Sequence, residues 1–136
     1  MMYKNILVPV LFDEGHNAQT SYDVAKSLAA EGAKFTVVHV MEAIPNYVAI
    51  EIPSDVIDKN RAAVEKSLVQ SAKNLPGATS KLIHGQPARA IVDCAIENDI
   101  DCIIIASHEL GFSDIFLGST AAKVVRHAKC SVHVIR

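Results

Sequence analysis

The chain has 136 residues, of which 50% are hydrophobic and 21% are charged, and its formal net charge is −2. This length predicts one domain over residues 1–136. The small negative charge provides no basic surface for a nucleic-acid backbone, so nucleic acid is not expected as a partner. No apolar run is long enough to span a bilayer, and the first residues lack the apolar core and the cleavage site of a signal peptide.

Three cysteines, Cys94, Cys102 and Cys130, form no Cys-x-x-Cys pair. An odd number of cysteines without a metal-binding spacing is typical of reduced thiols in a cytoplasmic protein, and we expect a cytoplasmic location. The histidines share no ligand spacing, so no structural metal is expected. His39 lies within an apolar run, which is typical of a hydrogen-bonded core histidine.

Five apolar or alternating segments predict strands, and four amphipathic segments between them predict helices. The predicted strands are Lys4–Val10, Phe35–Val40, Ser80–His84, Asp101–Ser107 and Ser131–Ile135. The predicted helices run from Asn17 to Gly32, from Ser54 or Asp55 to Leu75, and onward from Pro87 and from Ser119. Residues 41–53 are predicted to form a long loop.

Strands that alternate with helices predict an α/β fold with right-handed crossovers. We expect one open, doubly wound, parallel five-stranded sheet with four helices distributed over both faces. If the strand order is 3-2-1-4-5, a ligand binds where the order reverses, beyond the carboxyl ends of the first and fourth strands. Those ends are Pro9 to Asp13 and Ala106 to His108.

The tripeptide Gly118-Ser119-Thr120 lies where helical spacing begins. One interpretation is a helix cap, in which a serine or threonine hydroxyl accepts from the N–H groups of the first turn. The other is a phosphate site, because the same N–H groups and the helix dipole attract anions. Ser107 and His108 would face the same cleft, and the residues alone leave both interpretations open.

His108 could act as a general acid or base, because a histidine titrates near neutral pH. No nucleophile and orienting group accompany it in the sequence, which favours an anion contact or a loop hydrogen bond. The apolar loop of residues 110–117 either packs back as a short helical turn or serves as a lid or partner contact. Motifs of dinucleotide-binding folds, P-loops and α/β-hydrolases are absent.

A family resemblance is carried by several stretches of the sequence. They are Lys4–Val10, Val37–Val40, His84-Gly85-x-Pro87, Ile105–His108, Leu117–Ala121 and Val125–Val132. Together they resemble the universal stress protein family, a UspA-like superfamily. The short loop before Gly118, followed by V-x-R-H-A, is similar to its F/G-type branch. The resemblance implies the adenine nucleotide alpha hydrolase-like fold and the strand order 3-2-1-4-5. It also implies cytoplasmic homodimers that pair through the last strand, Ser131 to Ile135.

Many members of that family bind ATP, and the resemblance implies ATP, with or without Mg²⁺, as the ligand. Pro9 and Val10 would wall the adenine and ribose side, and Val40 would offer backbone hydrogen bonds to adenine. No catalytic residue is assigned. The implied nucleotide-binding residues are Pro9, Val10, Asp13, Val40, Gly85, Ala106, Ser107, His108, Gly118, Ser119 and Thr120.

The sequence departs from the family pattern at two places. Ala106 and Glu109 stand where the phosphate loop of ATP-binding members has two glycines. Leu11 stands where the family commonly has the aspartate of V-P-x-D, which lies near the ribose, and Asp13 is a partial substitute two residues later.

The favoured function is therefore that of a stress-response sensor or regulator that binds an adenine nucleotide. Leu11 and the lost glycines leave open a nucleotide-free dimeric interaction module of the same fold. A slow ATPase is a third hypothesis, and it rests only on His108 near a phosphate site. The lack of a membrane segment leaves a membrane-protein partner open.

Overall fold

The computed structural model describes residues 2–11, 18–42, 46–107 and 118–136. Its strands are β1 (Tyr3–Pro9), β2 (Ala29–Met41), β3 (Thr79–His84), β4 (Cys102–Ala106) and β5 (Ser131–Ile135). Its helices are α1 (Ala18–Leu28), α2 (Asn46–Ala49), α3 (Ser54–Ala72), α4 (Pro87–Glu97) and α5 (Ser119–His127). Among these described residues, no helix has both the length and the hydropathy needed to cross a membrane.

The strands form a parallel sheet in the order β3-β2-β1-β4-β5, which confirms the predicted fold class and strand order. β1 lies at the centre, and its residues Ile6, Leu7 and Val8 are fully buried. A continuous apolar run suits this position because helices cover both faces of a parallel sheet. The order reverses between β1 and β4, so the carboxyl ends of these strands border the expected ligand crevice.

The two faces carry different side chains because successive residues of a strand point in opposite directions. The cluster on the face of α4 and α5 includes Leu7, Val38, Ile91, Ile103, Ile105 and Val124. The cluster on the face of α1 and α3 includes Ile6, Val8, Tyr22, Val37, Leu68 and Ile104. Helices therefore cover both faces, as predicted.

The predicted end of the first helix at Gly32 is wrong. α1 ends at Leu28, and Gly32 lies inside the segment assigned to β2, where its φ is 76°. Tyr3 pairs with Ala29 but Asn5 pairs with Lys34, so the ladder is irregular before Lys34. Glycine tolerates the positive φ that this irregular step requires. Gly32 therefore does not terminate a helix, and it lies instead where the chain enters the regular part of β2. Asn17, where the sequence predicts this helix to begin, lies outside the described residues.

The sequence predicts a loop over residues 41–53, but the structure places the one-turn helix α2 within them, in addition to the four predicted helices. The helix predicted to reach Leu75 ends at Ala72, although Leu75 stays buried in the turn that follows. Local hydrogen bonds explain both differences. Ile50 N–H donates to Asn46 C=O at 3.1 Å, and Leu75 N–H donates to Ala72 C=O at 3.0 Å in a tighter turn.

The amino end of the sheet is held together by Asp101, at the start of β4. Its carboxylate accepts hydrogen bonds from the N–H groups of Lys4 at 2.8 Å and Asn5 at 3.1 Å. Asp101 N–H in turn donates to Asn5 C=O at 2.9 Å. These bonds tie β1 to β4 at the end opposite the expected ligand crevice.

Candidate functional site

A cavity of about 350 Å³ lies beyond the carboxyl ends of β1 and β4, where the strand order reverses. This volume is near the lower end of the range for small-molecule pockets. Its walls come from the ends of β1, β2 and β4 and from the first turns of α4 and α5. The lining residues are Pro9, Val10, Leu11, Val40, Glu42, Pro87, Ile91, Ile105, Ala106, Gly118, Ser119, Thr120 and Ala121.

Most of the residues predicted for the site that the structure describes lie around this cavity. They are Pro9, Val10, Val40, Ala106, Gly118, Ser119 and Thr120. Ser107 and Gly85 are described but do not line it. Asp13, His108, Glu109 and the apolar loop of residues 110–117 lie outside the described residues.

Gly85 lies in the turn between β3 and α4. Its N–H donates to the carbonyl oxygen of Met41 at 3.1 Å, so this glycine joins the end of β2 to the start of α4. Pro87, two residues later, is the part of this turn that reaches the cavity. Gly85 therefore connects two elements that border the cavity but does not line the cavity itself.

The first turn of α5 faces the cavity with unused backbone donors. Gly118 occupies the N-cap position and makes no side-chain cap, so neither Ser119 nor Thr120 is the capping residue. The bond from Ala122 N–H to Gly118 C=O, at 2.9 Å, closes the first helical turn. The N–H groups of Thr120 and Ala121 precede it and have no intrahelical acceptor. This turn can therefore receive an anion, which the helix dipole also favours.

The first turn of α4 also begins at the cavity, but two of its first three helical positions offer no free donor. Gln86 is the N-cap, and its side-chain oxygen accepts from Arg89 N–H at 2.8 Å. Pro87 fills the first helical position and has no N–H to offer. Of these two helix starts, the one at Gly118 is thus the better anion site.

Ser107 supports the start of α5 and is not a wall of the cavity. Its Oγ accepts a hydrogen bond from Gly118 N–H at 2.7 Å, and its own N–H donates to Ile135 C=O at 2.7 Å. The serine therefore ties the end of β4 to β5 and to the first turn of α5. The sequence suggested a direct phosphate contact for this hydroxyl, whereas the structure engages it with a backbone donor.

On the β2 side, backbone bonding leaves Val40 facing the cavity. Val10 N–H donates to Val38 C=O at 2.8 Å, and His39 Nδ1 lies 2.8 Å from Val10 C=O, so the polar backbone groups of Val10 are both used. Backbone groups of an inner strand point alternately to its two neighbours. Since Val38 C=O points to β1, the N–H and C=O groups of Val40 also point to the β1 side. They lie beyond the hydrogen bond that Val10 N–H donates to Val38 C=O.

Sequence reasoning missed several wall residues, which are Glu42, Pro87, Ile91, Ile105 and Ala121. Among the described lining residues, Glu42 is the single ionisable one. The alternation Val38, Val40, Glu42 was the available signal, because it places all three side chains on one face. In the parts of the chain that the structure describes, no group of three histidine, cysteine or acidic residues could hold a metal ion.

Comparison with known proteins settles the family. The sequence model of the universal stress protein family matches residues 2–136. The chain belongs to the universal stress protein family. A universal stress protein of Thermus aquaticus, encoded in the 3′ region of QAH/OAS sulfhydrylase, is 32% identical over 139 residues, which cover 99% of this chain and 100% of the relative. The universal stress protein UspA of Lactobacillus plantarum has a solved structure with a TM-score of 0.77 and 28% identity, and the match covers 98% of each chain.

Some structural neighbours of this universal stress protein were solved with nucleotides. The Archaeoglobus fulgidus protein in complex with dAMP has a TM-score of 0.66 at 22% identity, covering 100% of both chains. An Arabidopsis thaliana family protein with AMP bound has a TM-score of 0.62 at 18% identity, covering 97% of this chain and 90% of its own. A universal stress protein in complex with cAMP has a TM-score of 0.61 at 22% identity, and the match covers 98% of this chain and 97% of that protein. At these identities, the matches show a shared fold.

Proposed function

We propose that this universal stress protein binds an adenine nucleotide, ATP, in the cavity beyond β1 and β4 and acts as a stress-response sensor or regulator. The observation that carries the proposal is the first turn of α5, whose Thr120 and Ala121 N–H groups lie on the cavity wall without an intrahelical acceptor. The dAMP, AMP and cAMP complexes of structural neighbours support an adenine nucleotide as the ligand class.

The order of the strands suggests how the nucleotide lies. The adenine would bond the backbone of Val40 at the end of β2, and the phosphates would meet the first turn of α5 beyond β4. With neighbouring strands about 4.8 Å apart, the ends of β2 and β4 are separated by roughly 10 Å. This separation leaves the ribose above the end of β1, near Pro9 and Leu11. Asp13 and His108 remain predicted contacts, and Mg²⁺ with the triphosphate remains part of the proposal.

Isothermal titration calorimetry with ATP and with AMP tests the proposal on the wild-type protein. A Gly118→Asp variant would place a carboxylate over the donors of α5, where it competes with phosphate. We expect it to lower ATP affinity by roughly tenfold or more while leaving thermal stability unchanged or raised. Gln86→Asp puts the same charge at the N-cap of α4, outside the proposed phosphate site, and serves as the matched control. Absence of binding to the wild-type protein at millimolar ATP would refute the proposal.

A homodimer paired through β5 is the second part of the proposal. Within the described residues β5 pairs with β4 alone, so its other edge presents backbone groups to a partner. Ile135 C=O accepts from Ser107 on the β4 side, and by alternation the backbone groups of Val132 and Val134 point outward. Val134→Pro should therefore prevent dimerisation, as measured by light scattering, with less damage to the fold than His133→Pro, which removes a donor facing β4.

A nucleotide-free interaction module of the same fold is the alternative, and Leu11 is the observation that favours it. This leucine lines the cavity and is 47% exposed, so an apolar side chain occupies the ribose side of the site. Mass spectrometry of small molecules released from freshly purified protein separates the two functions. An adenine nucleotide in stoichiometric amount would exclude the alternative. The free thiols Cys94, Cys102 and Cys130 support a cytoplasmic location in either case.

A further inference from the structure

Glu42 is the acidic residue among the described residues of the candidate site, and no described group bonds its carboxylate. It lines the cavity as the single ionisable residue among the described wall residues. Within the described residues, no hydrogen bond or ion pair holds its side chain. Leu11, on the neighbouring strand end, lines the same cavity with an apolar side chain. Among the described wall residues, the carboxylate therefore follows the end of β2 and not the end of β1.

Glu42 and Leu11 lie on the same face of the sheet. Leu7 and Val38 belong to the cluster on the α4 and α5 face, and Val40 packs against that cluster. Side chains alternate along a strand, so Leu11, four residues after Leu7, and Glu42, two residues after Val40, face the same side. Their shared presence on the cavity wall agrees with this alternation.

The register places the two residues within reach of one sugar. Pro9 pairs with Val38, so one-for-one continuation sets Leu11 beside Val40 and puts Glu42 two residues further along. With strands about 4.8 Å apart and a rise of about 3.3 Å per residue, the Cβ atoms of Leu11 and Glu42 are roughly 8 Å apart. A glutamate is one methylene longer than an aspartate, so its carboxylate can reach back into the space above Leu11.

Charge decides which part of the nucleotide Glu42 can contact. A carboxylate repels phosphate, and the end of β2 lies two strands away from β4 and the α5 turn. The neutral ribose lies between these positions, and its two hydroxyls are donors that a carboxylate accepts well. The side chain of Leu11 cannot accept a hydrogen bond, so among the described wall residues Glu42 is the one that offers a carboxylate to a bound ribose.

We propose that Glu42 is a ribose-binding residue of this protein, and that it accepts hydrogen bonds from the ribose hydroxyls, which the apolar side chain of Leu11 cannot do. This inference rests on the proposed nucleotide-binding function. It makes Glu42 a determinant of sugar specificity, and it predicts that nucleotides without ribose hydroxyls bind poorly.

The test compares ATP with 2′,3′-dideoxyATP, which has the same base and triphosphate, by calorimetry on the full chain. Wild-type protein should prefer ATP by roughly tenfold or more, the value expected for a charge-assisted hydrogen bond. Glu42→Ala should lower ATP affinity to that of the dideoxy nucleotide and leave the dideoxy affinity unchanged. The double variant Leu11→Asp/Glu42→Ala should restore the preference. Glu65→Ala, at an exposed glutamate of α3 outside the cavity, is the control for a change of net charge.

Equal wild-type affinity for the two nucleotides would overturn the role of Glu42 and leave nucleotide binding intact. The role is also overturned if Glu42→Ala changes both affinities equally in either direction, because the carboxylate would then act on the phosphates or on the fold. If the wild-type protein binds neither nucleotide, the proposed function fails, and the ribose inference fails with it. Circular dichroism of each variant shows that a loss of binding is not a loss of folding.

Discussion

The hydroxyl of Ser107 accepts a hydrogen bond from the N–H of Gly118 at 2.7 Å, across eleven positions of the chain. Ser107 also donates its own N–H to Ile135 C=O, so the bond fixes the first turn of α5 to both β4 and β5. The position of the candidate anion site therefore depends on the rigid sheet. It follows that changes at Ser107 should affect stability and ligand binding together.

Replacing Ser107 with alanine should lower the free energy of unfolding by about 1–2 kcal/mol. The substitution leaves the N–H of the buried Gly118 without its acceptor, and an unsatisfied buried donor costs about that much. Urea denaturation measures the change, and ATP titration of the same variant should show weaker binding. Ser107→Thr keeps the hydroxyl and should stay close to wild type. Equal stability of the alanine variant and the wild type would contradict the role assigned to this bond.

Asp99 is the described non-glycine residue with a positive φ, 54°, in the turn after α4. A side chain in this left-handed region costs roughly 1 kcal/mol or more, and glycine avoids the cost. Asp99→Gly should therefore raise the free energy of unfolding by up to about 1 kcal/mol, whereas Asp99→Val should lower it by about 1–2 kcal/mol.

The control for Asp99 is the same glycine substitution at Glu97, the last residue of α4. There the backbone is helical, and glycine should destabilise by about 0.5–1 kcal/mol. Thermal denaturation of both variants should therefore show a stabilising effect for Asp99→Gly and a destabilising effect for Glu97→Gly. A destabilising effect of Asp99→Gly would show that the aspartate side chain stabilises the turn by more than the backbone strain costs.

Asp101 should contribute more to stability than its place at the surface suggests. Its carboxylate accepts from the N–H groups of Lys4 and Asn5 and so holds β1 against β4. Asp101→Ala removes two charge-assisted hydrogen bonds and should cost about 1–3 kcal/mol in urea denaturation. Asp101→Asn keeps one acceptor oxygen and should be intermediate. If the alanine and asparagine variants unfold at the same urea concentration as wild type, the two bonds add nothing to stability.

Stability should fall in alkaline solution because of Cys102. Burial, and to a smaller extent the neighbouring Cys130 and Asp101, raise the pKa of this thiol from the ordinary 9.0 to about 11. The folded pKa lies above the unfolded one, so the stabilisation is complete below pH 9 and is lost as the pH rises towards 11. The loss from this one group is roughly 2–3 kcal/mol.

Cys102→Val isolates this effect, since valine is close to cysteine in size and suits a buried strand. The difference in unfolding free energy between wild type and variant should change between pH 9 and 11 and stay constant below pH 9. Burial raises the pKa values of Tyr22 and Cys94 in the same direction, so both proteins should lose some stability. Parallel pH profiles for the two proteins would contradict the assignment to Cys102.

Periodicity identified the sheet because apolar runs and turn residues act locally. The run Ile6 to Val8, the proline at the start of α4 and the apolar spacing of Ile91, Val92 and Ala95 all place their elements without knowledge of the rest of the chain. Boundaries were less predictable. Gly32 has the positive φ that is typical of a helix C-terminus, yet it lies near the start of a strand. Both positions need the same backbone freedom, so the sequence alone did not distinguish them.

The sequence by itself determined the family, the parallel fold, the strand order that the resemblance implied, and the location of the cavity beyond the first and fourth strands. These depend on which residue types follow one another, and that information is local. The tertiary structure alone decided that Ser107 supports Gly118, and that Glu42 reaches the cavity beside Leu11. Both depend on contacts between segments distant in the chain, and the register of neighbouring strands sets those contacts.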